Sequence, residues 1–311
     1  MTSRDLEALL TDLRSGQHPG AARVTVLSDL DRGDLAHLRG TWPGVPPAIR
    51  EEILTWAADL AEQNLDLDFR GLCRIGLEDS EPSVRRRAIE ALWESDDRAT
   101  AASLTTLLRT DPDDSVRGAA AQALGRFVLQ RELDSMRPGG DDAIVEALRE
   151  TANDVREPID VRANAVESLG YRSLPWVDTV INDAYYNDDP RLRIAAIRAM
   201  GFSAQEKWVE YLEEDARSDD PEFRFEAAVA LGTIGSEAAV DTLAELLHDE
   251  DAEVQEVAIA SLGEISGEEA IRYLQEFAEE APEELQDAVR EAIDNALFIS
   301  QEGDGGTLLR L

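Results

Sequence analysis

From Asp188 to Gly263 the chain repeats itself. N-D-D-P-R-L-R-I-A-A-I-R-A-M-G is followed by S-D-D-P-E-F-R-F-E-A-A-V-A-L-G and then by H-D-E-D-A-E-V-Q-E-V-A-I-A-S-L-G. If the bulky apolar residue after the acidic turn is the anchor, Leu192, Phe223 and Val254 recur every 31 residues. The same anchor is found upstream as Val84, Val116 and Val161 and downstream as Leu285, with a single longer step of 45 residues between Val116 and Val161. Self-similarity at a fixed period of a few tens of residues is the mark of a stacked array, in which each unit buries its apolar face only against its neighbours.

Elementary chemistry gives each position of the motif a task. Asp and Pro before the anchor start a helix, because a carboxylate accepts the orphan N–H groups of the first turn and Pro has no N–H to lose there. Apolar residues at the anchor and four, five and eight positions on (Leu192, Ala196, Ile197, Met200) form one helical stripe. Gly125, Gly170, Gly201, Gly232 and Gly263, nine positions after their anchors, are expected to end the helices in the left-handed conformation. The rest of each unit, such as A-V-D-T-L-A-E-L-L or A-I-R-Y-L-Q-E-F-A, is a second amphipathic helix.

The pattern D-x-x-P-x-V-R-x-x-A-x-x-A-L-G, followed by that second helix, resembles the HEAT-like repeat, whose short form is also called the phycobilisome-lyase-type repeat. The resemblance runs from about Gly44 to Leu297. It implies an all-α fold, a right-handed α-solenoid (superhelix) of about eight helix pairs, with the anchor helices on the concave side and the alternate helices on the convex side. It implies no single activity, since function belongs to a site and not to a fold.

The expected organisation is an N-terminal helical cap over 1–43, a repeat solenoid over 44–297 with an insertion at about 126–158, and a flexible C-terminal tail over 298–311. The insertion prolongs a helix through R-F-V-L-Q-R-E-L, turns at P-G-G-D-D and continues through a looser connection at A-N-D-V-R-E-P-I-D. In the tail, Leu308, Leu309 and Leu311 could dock on the last repeat or on another chain.

With 66 acidic against 30 basic residues, the formal net charge is −36, which repels phosphate backbones and anionic bilayers alike. Neither a nucleic acid nor a membrane is therefore an expected partner. Lys207 is the one lysine, all other basic residues being arginine. The acidity fits either the habit of a GC-rich or salt-adapted proteome or selection for a basic partner, and both stay open. No apolar run reaches the length of a membrane span and no leader is visible, so the chain is expected to be soluble and cytoplasmic.

No constellation for catalysis is legible. Cys73 has no cysteine to pair with and sits in an apolar helical pattern, as a small buried hydrophobe does. His18, His37 and His248 lack the spacing of metal ligands. The paired His-Glu motifs of HEAT-like iron hydroxylases are absent, and the charge is opposite in sign to that of HEAT-like DNA glycosylases. Neither a phosphate-binding glycine loop nor a G-x-S-x-G elbow occurs, and no pair among the many carboxylates is singled out by its spacing. No cofactor is expected.

Two columns of the repeat remain. Arginine follows the anchor as Arg50, Arg85, Arg117, Arg162, Arg193 and Arg224, giving way to Gln255 and Gln286 in the last two repeats. With Asp188 and Asp219 among the nearby acids, these are expected to form an inter-repeat ladder, because the planar guanidinium fork matches carboxylates and helix-end carbonyls. The positions two, six and nine or ten after the anchor should face the groove: Arg86, Glu90, Trp93, Gln122, Glu167, Tyr171, Ile194, Arg198, Phe202 and Phe225. Trp176 and Trp208 belong to the alternate helices and are expected to pack in the convex layer. The reading that follows is a non-enzymatic scaffold or adaptor holding a protein or peptide in its concave face, with acidic flanks that would steer a basic partner. The alternatives are an accessory subunit of an enzyme or bilin-lyase-like complex, or a structural subunit of a larger assembly.

Overall fold

The computed structural model describes residues 3–133 and 142–305. Most of the expected P-G-G-D-D turn and the three tail leucines lie outside the described residues. Among those described, every regular element is a helix. By contact density the chain divides into two units, 1–168 and 169–311.

In the first unit, α1 (Ser3–Arg14), α2 (Ala21–Val24) and α3 (Arg32–Thr41) precede the helix pairs. The stripe Leu6, Leu9, Leu10 and Leu13 buries α1, and α3 packs against it while α2 packs on α4 (Pro47–Gln63). There follow α5 (Arg70–Gly76), α6 (Pro82–Glu90), α7 (Arg98–Thr110), α8 (Asp114–Leu133), α9 (Asp142–Asn153) and α10 (Ile159–Leu169), whose last residue falls in the second unit. The anchor helices α4, α6 and α8 lie side by side, and α7 and α9 form the alternate layer beside them.

The second unit repeats the arrangement. Anchor helices α12 (Pro190–Phe202), α14 (Pro221–Ile234), α16 (Ala252–Ile265) and α18 (Gln286–Gly305) pack in succession. The alternate helices α11 (Pro175–Tyr185), α13 (Val209–Asp215), α15 (Val240–Leu246) and α17 (Gly267–Ala278) are each packed on the anchor helix that follows. Helix α18 runs on to Gly305 although a tail is expected from 298, since no glycine or proline stands between Pro282 and Gly303 to stop it.

Starts and stops follow local chemistry. Asp189, Asp220 and Asp251 accept the backbone N–H groups of Arg191, Glu222 and Glu253 at 2.9–3.0 Å, and Pro190 and Pro221 occupy the first helical position. The expected stripe Leu192, Ala196, Ile197 and Met200 is buried, and so are Ile194, Ala195 and Ala199. An anchor helix with neighbours on two sides must be apolar over more than one stripe.

The ninth-position glycines do not end their helices in the left-handed conformation; none has positive φ, and Gly201, Gly232 and Gly263 lie inside α12, α14 and α16. Their task is close approach. A Cβ on Gly170 would stand 2.6 Å from the Ala199 Cα, one on Gly201 2.9 Å from the Ala230 Cα, and one on Gly263 3.0 Å from the Ala292 Cα. Gly125 meets Ser168 and Gly232 meets Ser261 in the same way. Each glycine thus receives the small residue seven positions after the next anchor. Where that residue is serine, its hydroxyl donates back to a carbonyl of the preceding anchor helix, Ser168 to Ala121 and Ser261 to Ala228, both at 2.9 Å. The left-handed stop of α14 is instead Gly235, at φ +69°.

Candidate interaction face of the anchor helices

The arginine column spans consecutive repeats. Arg85 is bidentate to Asp111 at 2.7 Å through both nitrogens, and Arg224 to Asp249 likewise. Arg50 holds Asp79, which also accepts the Trp42 indole N–H at 2.7 Å, and Arg117 reaches Glu157 at 3.0 Å. Three of these guanidinium groups also reach back to their own turn: Arg85 donates to the carbonyls of Asp79 and Ser80, Arg117 to that of Asp111, and Arg224 to those of Ser218 and Asp219. Arg162 donates to the Ala152 carbonyl at 3.1 Å.

Two of the expected ladder acids serve otherwise. Asp219 contributes its backbone carbonyl and not its carboxylate, and Asp188 is exposed on the turn before α12. The carboxylate beside Arg193 is Asp215, from the end of α13, the alternate helix that follows α12. Asp215 is fully buried, and burial pushes its carboxyl up against the pull of Arg193. Gln255 and Gln286 keep only the bond to their own turn, to the carbonyls of Asp249 and Ala281.

In the first unit the residues expected to face the groove are dispersed. Arg86 and Glu90 are exposed on α6, 3.4 Å apart, with Arg87 also on Glu90 at 2.7 Å. Gln122 is exposed on α8, and Glu167 is half-buried on α10. Trp93 does not stand on the helix: α6 ends at Glu90, and the ring lies on the following turn, 47% exposed. There it lines a hollow of about 240 Å³ with Leu65, itself 85% exposed, above Ala57, Ala61 and Phe69.

The second unit brings two of its expected residues together. Tyr171 and Phe202, ten positions after successive anchors, stack with centroids 4.4 Å apart and planes 14° from parallel. Arg198 is bound to Glu226 of the next anchor helix, one contact being 2.9 Å. Phe225 and Val229 are half-buried beside Glu226 on α14. Ile194, in contrast, is only 7% exposed and belongs to the core. Its side chain is covered because α12 has a packed neighbour on each flank.

The same face continues into a groove that sequence reasoning missed. Between α16 and α18 lies a depression of about 610 Å³, floored by Ile259, Ala260, Ala288 and Ala292 and bounded by Glu256, Glu264, Glu291, Asp294, Asn295 and Phe298. The Phe298 ring is 60% exposed, with Leu297 and Ile299 exposed beside it. The available signal is the apolar run Leu297, Phe298 and Ile299, which straddles the boundary between the expected solenoid and the expected tail.

Of the alternate-layer tryptophans, Trp208 is buried against Tyr211 and Trp176 is half-buried. Cys73 is buried, and burial pushes its thiol up to about 12. His18 contacts Glu52, and His248 lies edge-on to Phe277 at 5.4 Å. Among the described residues no three or more His, Cys, Asp or Glu side chains converge as metal ligands, and no helix is long and apolar enough to cross a membrane.

Comparison with known proteins places this geometry. No curated protein matches the sequence. Among solved structures, the complex of CpcE and CpcF of phycocyanin lyase from Nostoc sp. is similar at 21% identity with a TM-score of 0.53, covering 82% of this chain and 92% of that one. YibA from Escherichia coli is similar at 15% identity with a TM-score of 0.50, covering 88% and 95%. At these identities the likeness is one of fold. The pattern of the HEAT repeats family matches residues 71–157 and 209–294, more than half of the sequence, and with its helix pairs stacked as such repeats require, this chain belongs to the HEAT-repeat family.

Proposed function

We propose that the chain is a non-catalytic scaffold that holds a protein or peptide partner against the anchor-helix face of its second unit. The observation that carries this reading is the stacked pair Tyr171 and Phe202 from successive repeats, with Phe225 half-buried on the next anchor helix beside Glu226, the partner of Arg198. Rings of this kind are the usual carriers of interface energy: they bury large area for two side-chain torsions, and truncating one at the centre of a contact costs about 2 kcal/mol or more. Glu90 on the expected face and Glu226 beside it support a recognition role over proton transfer, because each is engaged by arginine.

Recovery of partners on the tagged chain from its native cells, in parallel with Phe225→Ala, Tyr171→Ala and Trp93→Ala, tests the reading. A partner lost from the first two variants and kept by the wild type and by Trp93→Ala is expected. A partner retained at wild-type level by both Phe225→Ala and Tyr171→Ala would remove the second unit's face from the proposal.

A further inference from the structure

The groove between α16 and α18 has a chemistry that narrows what can fill it. Its floor is aliphatic, its wall carries the exposed ring of Phe298, and four carboxylates, Glu256, Glu264, Glu291 and Asp294, border it; none of its lining side chains is cationic. Three of these residues, Glu256, Ala260 and Glu264, occupy the second, sixth and tenth positions after the Val254 anchor, so the groove continues the columns that hold Phe225, Arg198 and Phe202 in earlier repeats. The departure is at the sixth position. There α12 carries Arg198, which is bound to Glu226, whereas α16 carries Ala260, so no arginine from that column reaches the carboxylates opposite.

We infer that this groove receives a short basic, apolar segment of a partner protein, with an aliphatic or aromatic side chain seated on the floor against Phe298 and Arg or Lys side chains on the bordering carboxylates. The inference rests on the scaffold reading above and names its terminal subsite. Charge decides among occupants. A second copy would bring the same four carboxylates against these four and a further net charge of −36, and a phosphate backbone or an anionic bilayer would be repelled by the same border. A basic segment is attracted to the border, and its apolar residue removes the Phe298 ring from water. The size of the groove suits a few side chains of an extended or helical segment.

The test uses the full chain and a fluorescein-labelled helical peptide of Leu and Arg, followed by anisotropy. Its comparators replace every Arg by Glu or every Leu by Gly. Binding of the Leu/Arg peptide is expected to exceed that of the Gly/Arg peptide by about tenfold and to weaken as salt is raised, with no binding of the Leu/Glu peptide. Phe298→Ala, and separately Glu291→Gln with Asp294→Asn, should each weaken it by about fivefold or more. The same loss of two charges at Glu283→Gln with Glu284→Gln, on the loop that precedes α18, should leave it unchanged. All these positions are exposed, and an unchanged melting midpoint shows that each variant folds.

Wild-type affinity in the groove variants, or equal affinity for the Gly/Arg peptide, would overturn the inference. So would a dimer, seen by light scattering, that Phe298→Ala dissolves, since the occupant would then be a second copy. If the groove variants bind normally while Phe225→Ala does not, the terminal subsite falls and the anchor-face reading survives. If neither matters, both fall.

Discussion

Gly170 and Ala199 touch so closely that a Cβ on the glycine would lie 2.6 Å from the alanine Cα and 2.7 Å from its carbonyl oxygen, both backbone atoms that cannot rotate away. The contact sets the spacing of neighbouring anchor segments. Gly170→Ala should therefore force them apart and lower the denaturation midpoint, at a cost of about 1–3 kcal/mol. Gly40→Ala supplies the opposite sign: the residue lies on α3 with no neighbouring atom within 4 Å of an added Cβ, and alanine there should stabilise by about 0.5–1 kcal/mol through the unfolded chain and helix propensity. Chemical denaturation of the two variants side by side checks both; equal shifts would refute the close-approach role.

Arg224 joins its own turn to the next repeat, and the two halves of that contact can be separated. Its partners are the carbonyls of Ser218 and Asp219 on one side and the Asp249 carboxylate on the other. Arg224→Ala removes both and leaves a carboxylate that is only 7% exposed without its counter-charge, a loss of about 3 kcal/mol or more. Arg224→Gln should cost measurably less, because Gln255 shows that a glutamine at this position retains the carbonyl bond. If the two variants melt together, the backbone half of the contact contributes nothing.

Acid should reveal two carboxylates of opposite behaviour. The hydrogen bonds from Arg224 hold Asp249 below the ordinary carboxylate range, so its contribution is fully present above the unfolded value of about 3.9 and is lost as pH falls through the lower folded value. The stability gap between wild type and Asp249→Asn should accordingly shrink on acidification. For Asp215 burial raises the carboxyl, so the stability it contributes is present below the unfolded value and is lost as pH rises through the folded one. Asp215→Asn should thus improve relative to wild type as pH rises from strongly acid. Denaturation midpoints across that range, for both variants, measure the two slopes; slopes of the same sign would show that one assignment is wrong.

Much of this fold is legible in the repeat alone. Anchors, helix starts at Asp-Pro and the bridging arginines are local or strictly periodic, and periodicity survives in one dimension. What is not legible depends on the neighbouring repeat. Gly201 reads as a stop by its place after Met200, yet it stands inside α12 because Ala230 must pass it. Arg193 sits among Asp188 and Asp189 in sequence, whereas its partner Asp215 comes from the end of α13. Trp93 lies off the helix because α6 is shorter than α12, and Phe298 falls in the expected tail, through which α18 in fact continues. On the candidate face, the places of Tyr171 and Phe202 follow from the period, but their stacking does not.

Cys73 offers a readout of how the first unit opens. Thiolate is the reactive form, and burial pushes this thiol up to about 12, so at a mildly alkaline pH of about 8 the native side chain is both neutral and shielded. In the unfolded chain the same thiol returns to about 8.5 and is accessible. Labelling with a disulfide reagent should therefore be slow in native buffer and should rise with denaturant in step with loss of helix in this unit. Gly76→Ala, which places a methyl 2.8 Å from the Ala88 Cβ about one helical turn from Cys73, should accelerate it by weakening the α5–α6 contact. Rapid labelling of the native wild type would mean that α5 opens independently of the helices packed around it, and the cooperative unit would have to be redrawn without it.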